Sequence, residues 1–275
     1  MPASTPEIVC VSSIGALLGA AYVAGQLPTL KVFALELTWR NIVGLLDVRL
    51  SGGGLISGEQ IVALLKKLNI AAKIEGYGKA FAAIATDLET GREIWPREGP
   101  IEDAVRASIS LPGIFSPVRH GECWLVDGGL VNPVPVSACR ALGADIVIAV
   151  NINGDIVEPF EGRASMVRGV TIPPDFFQRL LSQVPPGLRD QASVIAARLL
   201  RPPEASPGYF DVLANSINIM QDQITRSRLA GEPPHVMLVP RLHAIGLMEF
   251  HRAAEAIAEG AACVQQALPA LRRYI

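Results

Sequence analysis

The chain has 275 residues, half of them hydrophobic, with a mean hydropathy of +0.34 and a formal net charge of −2. A chain of this composition and length can bury a large core in one domain or two small ones, which excludes intrinsic disorder. Lys+Arg number 24 against 26 Asp+Glu, so no basic surplus exists to displace counterions from a phosphate backbone, and nucleic acid is not an expected partner.

Residues 8–30 carry no charge and have the length of a signal-peptide core, but no Lys or Arg precedes them and Ser12, Ser13, Gly15, Gly19 and Gly25 interrupt them. They read instead as a strand (8–11), a turn at Ser12 and Ser13, and a small-residue helix (14–24) ended by Gly25. Residues 30–46 repeat apolar side chains at helical spacing; Gly52, Gly53 and Gly54 form a turn, and Ser57 offers a cap for a helix around 61–65. Residues 81–86 have the continuous apolar character of a buried strand, 87–91 the polarity of a turn, and 92–95 the pattern of a returning strand. A helix over 101–109 stopped by Pro112, a strand over 124–126, a helix over 136–142 ended by Gly143 and a buried strand over 146–150 follow. This alternation predicts an α/β fold around a mostly parallel sheet.

Residues 155–207, punctuated by Pro174, Pro185, Pro186, Pro202, Pro203 and Pro207, read as a helical insertion within one domain spanning 1–275. Its apolar stripe, Phe176, Phe177, Leu180 and Leu181 beside Arg179, has two readings: a helix packed on its own core, or a lipid-facing lid in peripheral contact with a membrane. A long helix over 212–229, a strand over 236–239 and a terminal helix from 248 complete the chain.

Cys10, Cys123, Cys139 and Cys263 lie far apart without the paired spacing of a zinc or redox site, and the four histidines form no H-E-x-x-H pattern. The cysteines therefore read as reduced core residues of a cytoplasmic chain, with no metal and no cofactor expected. Ser13 stands between a strand and a helix, where a sharp turn exposes a nucleophile; taken alone, its ordinary reading is a helix N-cap. Asp127, with Gly128 and Gly129, is a carboxylate delivered by a strand into a glycine turn; alone, it reads as an Asx-type turn.

Taken together, these stretches resemble the patatin-like phospholipase family. The resemblance covers most of the chain: Ser13 and Gly15 on the elbow; residues 81–91 with Ala85, Thr86, Asp87 and Leu88; residues 108–115; and residues 127–135, where the D-G-G turn leads into Leu130, Val131, Asn132 and Pro133. It implies a three-layer α/β/α fold and a Ser-Asp dyad acting without histidine. Ser13 would attack an ester carbonyl, Asp127 would take its proton, and an acyl-enzyme would be hydrolysed by water, with a lipid or ester as substrate. Gly15, Gly128 and Gly129 would be the motif glycines. The family also opens with a strand and a glycine-rich oxyanion loop ahead of the serine. No such loop is found between Met1 and Glu7, and Val11 stands where the family has glycine. The expectation is thus an N-terminally truncated member with its oxyanion donors unassigned and a newly exposed sheet edge, or a non-catalytic scaffold. An alternative enzyme reading is a Ser-His-Asp hydrolase with His243, which follows the 236–239 strand in the order Ser, Asp, His.

Overall fold

The structure, a computed structural model, describes residues 5–38, 41, 56–70, 72–155, 209–246 and 249–274. The glycine turn at 52–54 and the insertion from residue 156 onward lie outside the described residues, so the packed and lid readings of its helices both stand as read from the sequence.

Strand β1 (Ile8–Ser12) enters helix α1 (Ile14–Val23) through Ser13 alone. Helix α1 ends as its sequence predicts: Gly25 has φ 70°, and its N–H and that of Gln26 close back on the Tyr22 and Ala21 carbonyls. Helix α2 (Leu27–Leu35) starts three residues earlier than the apolar repeat suggested. Pro28 lies in its first turn, where a missing N–H loses no helical bond. In α3 (Glu59–Lys67) the Ser57 hydroxyl accepts the Glu59 N–H at 3.3 Å, while Gly58, at φ 76°, occupies the capping position.

Strand β2 (Ala80–Asp87) is buried from Phe81 onward, as its unbroken apolar run requires. Asp87 closes the turn that follows by accepting from the Glu89 N–H and the Thr90 hydroxyl, and β3 (Glu93–Ile94) returns antiparallel. Helix α4 (Ile101–Ser108) comes next, then a hairpin of β4 (Val118–His120) and β5 (Cys123–Asp127) turning at Gly121 with φ 59°. The sequence reading missed β4, a three-residue strand too short to show alternation. Helix α5 (Val136–Ala141), β6 (Ile148–Val150), α6 (Tyr209–Gly231), β7 (Val236–Leu238) and α7 (Ala253–Leu271) follow the predicted order.

The principal sheet runs β1-β2-β5-β4, with β3 beside β2. The pairs β1–β2 and β6–β7 are parallel, and β2–β3, β2–β5 and β4–β5 are antiparallel. Along β1 and β2, Val9, Val11, Phe81 and Ala83 join one core with residues of α1, α3 and α4. On the other face Cys10 meets Cys139 of α5. Helices therefore cover both sides of the strands, giving the α/β/α layering.

Two expectations need correction. The cysteines are free, but all four are only half-buried, and Cys10 and Cys139 are hydrogen-bonded neighbours rather than isolated core residues. Residues 146–150 do not form a fully buried strand. Val147 and Ala149 are buried on one side, while Ile146, Ile148 and Val150 face outward, Val150 at 54% exposure.

Candidate active site

At the carboxyl end of β1 the chain reverses in one residue, and Ser13 adopts φ 53°, ψ −132°. A non-glycine side chain in that region carries strain of about 1–3 kcal/mol, a conformation found where a hydroxyl must be lifted off a sheet edge. Ser13 sits at the N-cap position and its carbonyl accepts the Ala16 N–H at 2.8 Å, but its side chain makes no cap hydrogen bond to α1. Its hydroxyl donates instead to Asp127 Oδ2 at 2.6 Å, across 114 residues of sequence.

Asp127 ends β5 and is fully buried. Its Oδ1 accepts the Gly129 N–H at 2.7 Å, and its backbone carbonyl accepts the Thr86 hydroxyl at 2.8 Å. Burial raises its pKa to about 6, against the opposing effect of the hydrogen bonds from Ser13 and Gly129. A carboxyl group removed from water in this way is a stronger base for a hydroxyl proton than an exposed aspartate.

The glycines of the turn are required by space rather than by backbone sign. A Cβ on Gly128 would lie 2.1 Å from the Ile84 carbonyl oxygen, and one on Gly129 would lie 2.3 Å from Gln221 Nε2 and 2.9 Å from Asp127 Oδ1. Neither has positive φ. Gly15 is less constrained, since a Cβ there would meet only Val11 Cβ at 3.8 Å. The β-branched Val11 is accommodated one turn further on: a Cβ on Gly19 would meet Val11 Cγ1 at 2.8 Å.

His243 does not join this pair. Its Nδ1 lies 2.9 Å from Asp155 Oδ2, its N–H donates to the same oxygen at 3.0 Å, and its side chain is 61% exposed. Among the described residues, the partner of the Ser13 hydroxyl is Asp127 and the partner of the His243 ring is Asp155. No cluster of three His, Cys, Asp or Glu side chains suited to a metal occurs among the described residues. No helix among them is long and apolar enough to cross a membrane.

The predicted helix over 101–109 puts Ser108 and Ser110 at a helix end, and that reading misses their contacts. The Ser108 hydroxyl accepts the Ser13 N–H at 3.0 Å, and the Ser110 carbonyl accepts the Asp127 N–H at 3.0 Å. Arg106 is buried and donates to Ser110 Oγ at 2.7 Å, to the Ser116 carbonyl at 2.9 Å and to the Ser57 carbonyl. Burial lowers its pKa to about 10. The available signal was two serines inside the otherwise apolar stretch 107–115, which folding buries completely.

Residues 3–140 match a family described as patatin-like phospholipase. A protein of Mycobacterium tuberculosis, named an uncharacterized NTE family protein, is 33% identical over 94% of this chain and 82% of its own length. A patatin-like phospholipase domain-containing protein of Caenorhabditis elegans is 34% identical over 55% of this chain and 12% of its own length. A lysophospholipase of Emericella nidulans is 26% identical over 53% of this chain and 10% of its own length.

Proposed function

This chain belongs to the patatin-like phospholipase family, and on that premise we propose that it is a serine acyl hydrolase of lipid esters using Ser13 as nucleophile and Asp127 as base. The observation that carries the proposal is the 2.6 Å hydrogen bond from a strained elbow serine to a fully buried carboxylate. Ser13 Oγ attacks the ester carbonyl while its proton passes to Asp127 Oδ2. Collapse of the tetrahedral adduct breaks the acyl–oxygen bond, and the proton held by Asp127 goes to the departing alkoxide. Water, deprotonated by Asp127, then attacks the acyl-Ser13 carbonyl, and the fatty acid leaves as the serine recovers its proton.

Negative charge develops on the carbonyl oxygen in both steps and needs donors aimed at it. The Ser13 N–H is already given to Ser108. The adjacent donors are then the first-turn N–H groups of α1, at Ile14 and Gly15, which have no partner within the helix and lie at its positive end. One relative is named a lysophospholipase, so a lysophospholipid is the substrate to try beside a simple ester.

The test is hydrolysis of p-nitrophenyl butyrate and of a lysophospholipid by the full chain, beside Ser13→Ala and Asp127→Asn, with fluorophosphonate labelling of the serine. Loss of turnover in both variants, and loss of labelling in Ser13→Ala, is the expected result. A folded wild-type chain that neither turns over nor labels would favour the scaffold reading.

A further inference from the structure

We propose that Ser108 is a positioning residue for the dyad: the buried segment from Ser108 to Ser110 ties the nucleophile elbow to the aspartate turn and sets their separation. The inference rests on the reading of Ser13 and Asp127 as nucleophile and base.

The need for such a tie follows from the sheet order. Ser13 follows β1 and Asp127 ends β5, and β2 lies between those strands, so no ladder bond joins the two residues. Strands two positions apart are about 10 Å from each other, and a serine side chain reaches an aspartate at 2.6 Å only if both backbones are held inward of the sheet line. The chain leaving α4 supplies the holding groups from a single stretch. Ser108 Oγ takes the Ser13 N–H at 3.0 Å, and two residues later the Ser110 carbonyl takes the Asp127 N–H at 3.0 Å. Both serines are fully buried, so neither bond has water as a ready substitute.

The segment is itself held from behind. Ser110 Oγ donates to the Arg106 carbonyl at 2.7 Å and accepts from Arg106 Nη1 at 2.7 Å. Arg106 in turn ties the Ser57 and Ser116 carbonyls, and its guanidinium lies 5.7 Å from the Phe115 ring. The position of Ser110 is therefore fixed by a cation that makes no contact with the dyad, and the Ser108 hydroxyl is left as the adjustable group. It holds the residue with the strained φ of 53°. Without that acceptor the Ser13 N–H loses its partner at a half-buried site, and the elbow has reason to relax toward ordinary φ, carrying the hydroxyl away from Asp127.

The experiment compares Ser108→Ala, which removes the acceptor, with Ser108→Thr, which keeps it, in the full chain. Three readouts are taken: kcat and KM on p-nitrophenyl butyrate, the rate of fluorophosphonate labelling of Ser13, and hydrogen exchange of the Ser13 amide by NMR. Misplacement of a reacting group by about 1 Å can reduce rate roughly 100-fold. The Ala variant is expected to lose ~10–100-fold in kcat and in labelling rate with KM unchanged, and to exchange the Ser13 amide faster; Thr restores all three. Wild-type kcat and wild-type Ser13 exchange in Ser108→Ala would overturn the proposal. If Ser108→Ala does not fold, Ser108→Cys, with a weaker acceptor at the same atom position, replaces it in the same comparison. If the wild-type chain shows no Ser13-dependent turnover, the hydrolase reading fails, and amide exchange alone then decides the tie. Faster exchange in Ala restored in Thr supports it, and unchanged exchange overturns it.

Discussion

Replacing Asp127 by Asn should make the protein more stable while abolishing its chemistry. The buried carboxyl has a pKa of about 6, against an ordinary value of 3.8, because burial disfavours the charged form. The folded chain therefore binds that proton more tightly than the unfolded chain. The stability the group contributes is complete below pH 3.8, declines as pH rises toward 6 and is fully lost above it. A displacement of this size corresponds to about 3 kcal/mol, the cost of carrying the carboxylate in the folded state at neutral pH. Asn pays no such cost. It keeps an oxygen for the Gly129 N–H and turns an NH2 toward Ser13 Oγ, which can accept as well as donate. Urea unfolding followed by tryptophan fluorescence from pH 4 to 8 should give matching stabilities near pH 4. Above pH 7 the variant should lead by up to about 3 kcal/mol, which for a chain of this length is a Tm higher by roughly 5–10 °C. Turnover should fall by about 10²–10⁴ at the same time. A variant less stable than wild type at pH 8, or a difference that does not change with pH, would refute the desolvated-carboxylate argument.

The same ionisation predicts that kcat/KM rises with pH through about 6 and levels above it; a rise centred near 4 in the pH–rate profile would show a carboxylate in ordinary solvation. Gly128→Ala should reduce stability by at least ~3 kcal/mol, because the Cβ would meet the Ile84 carbonyl oxygen at 2.1 Å and backbone cannot yield as a side chain does; a thermal melt indistinguishable from wild type would contradict this. His243→Ala should leave kcat within twofold, since the ring is bonded to Asp155, and near-complete loss of turnover would restore the triad reading. Gly19→Ala should cost about 1–3 kcal/mol where Val11 is present and clearly less in a Val11→Ala background, because Val11 Cγ1 at 2.8 Å is the closest obstruction and only Phe81 Cε2 at 3.2 Å then remains. Additive effects in that double-mutant cycle, read from urea midpoints, would show that the two positions do not share the space.

The parts of the fold that the sequence announced are those set by local chemistry. The run from Phe81 to Thr86 could be satisfied only by burial on both faces, and β2 is the buried strand between the helical layers. Gly25 and Gly143 marked helix ends because each takes a left-handed φ that other residues adopt with strain, and both do so here, at 70° and 93°. The two residues of the proposed dyad stood out for a similar reason, each carrying its turn beside it. The outward face of β6 was not. Ile146, Ile148 and Val150 read as core because hydropathy reports what a residue tolerates and says nothing of what lies opposite it.

The geometry of the dyad was hidden for a different physical reason. Val11 stands where the family has glycine, and the residue that makes room for it, Gly19, is eight positions away and becomes its neighbour only once α1 folds back along β1. Ser108 and Ser110 read as helix-end residues because a hydroxyl or carbonyl has no periodicity by which a long-range partner can be recognised, and the partners lie 95 and 17 residues away along the chain. Local sequence thus specifies which groups can do the chemistry, while the distance between them depends on a third segment whose own residues carry no catalytic signature. A change in that segment would alter turnover with the Ser13 and Asp127 motifs intact. On the proposed reading, activity therefore depends on the residues at 106, 108 and 110 as well as on the pair they hold.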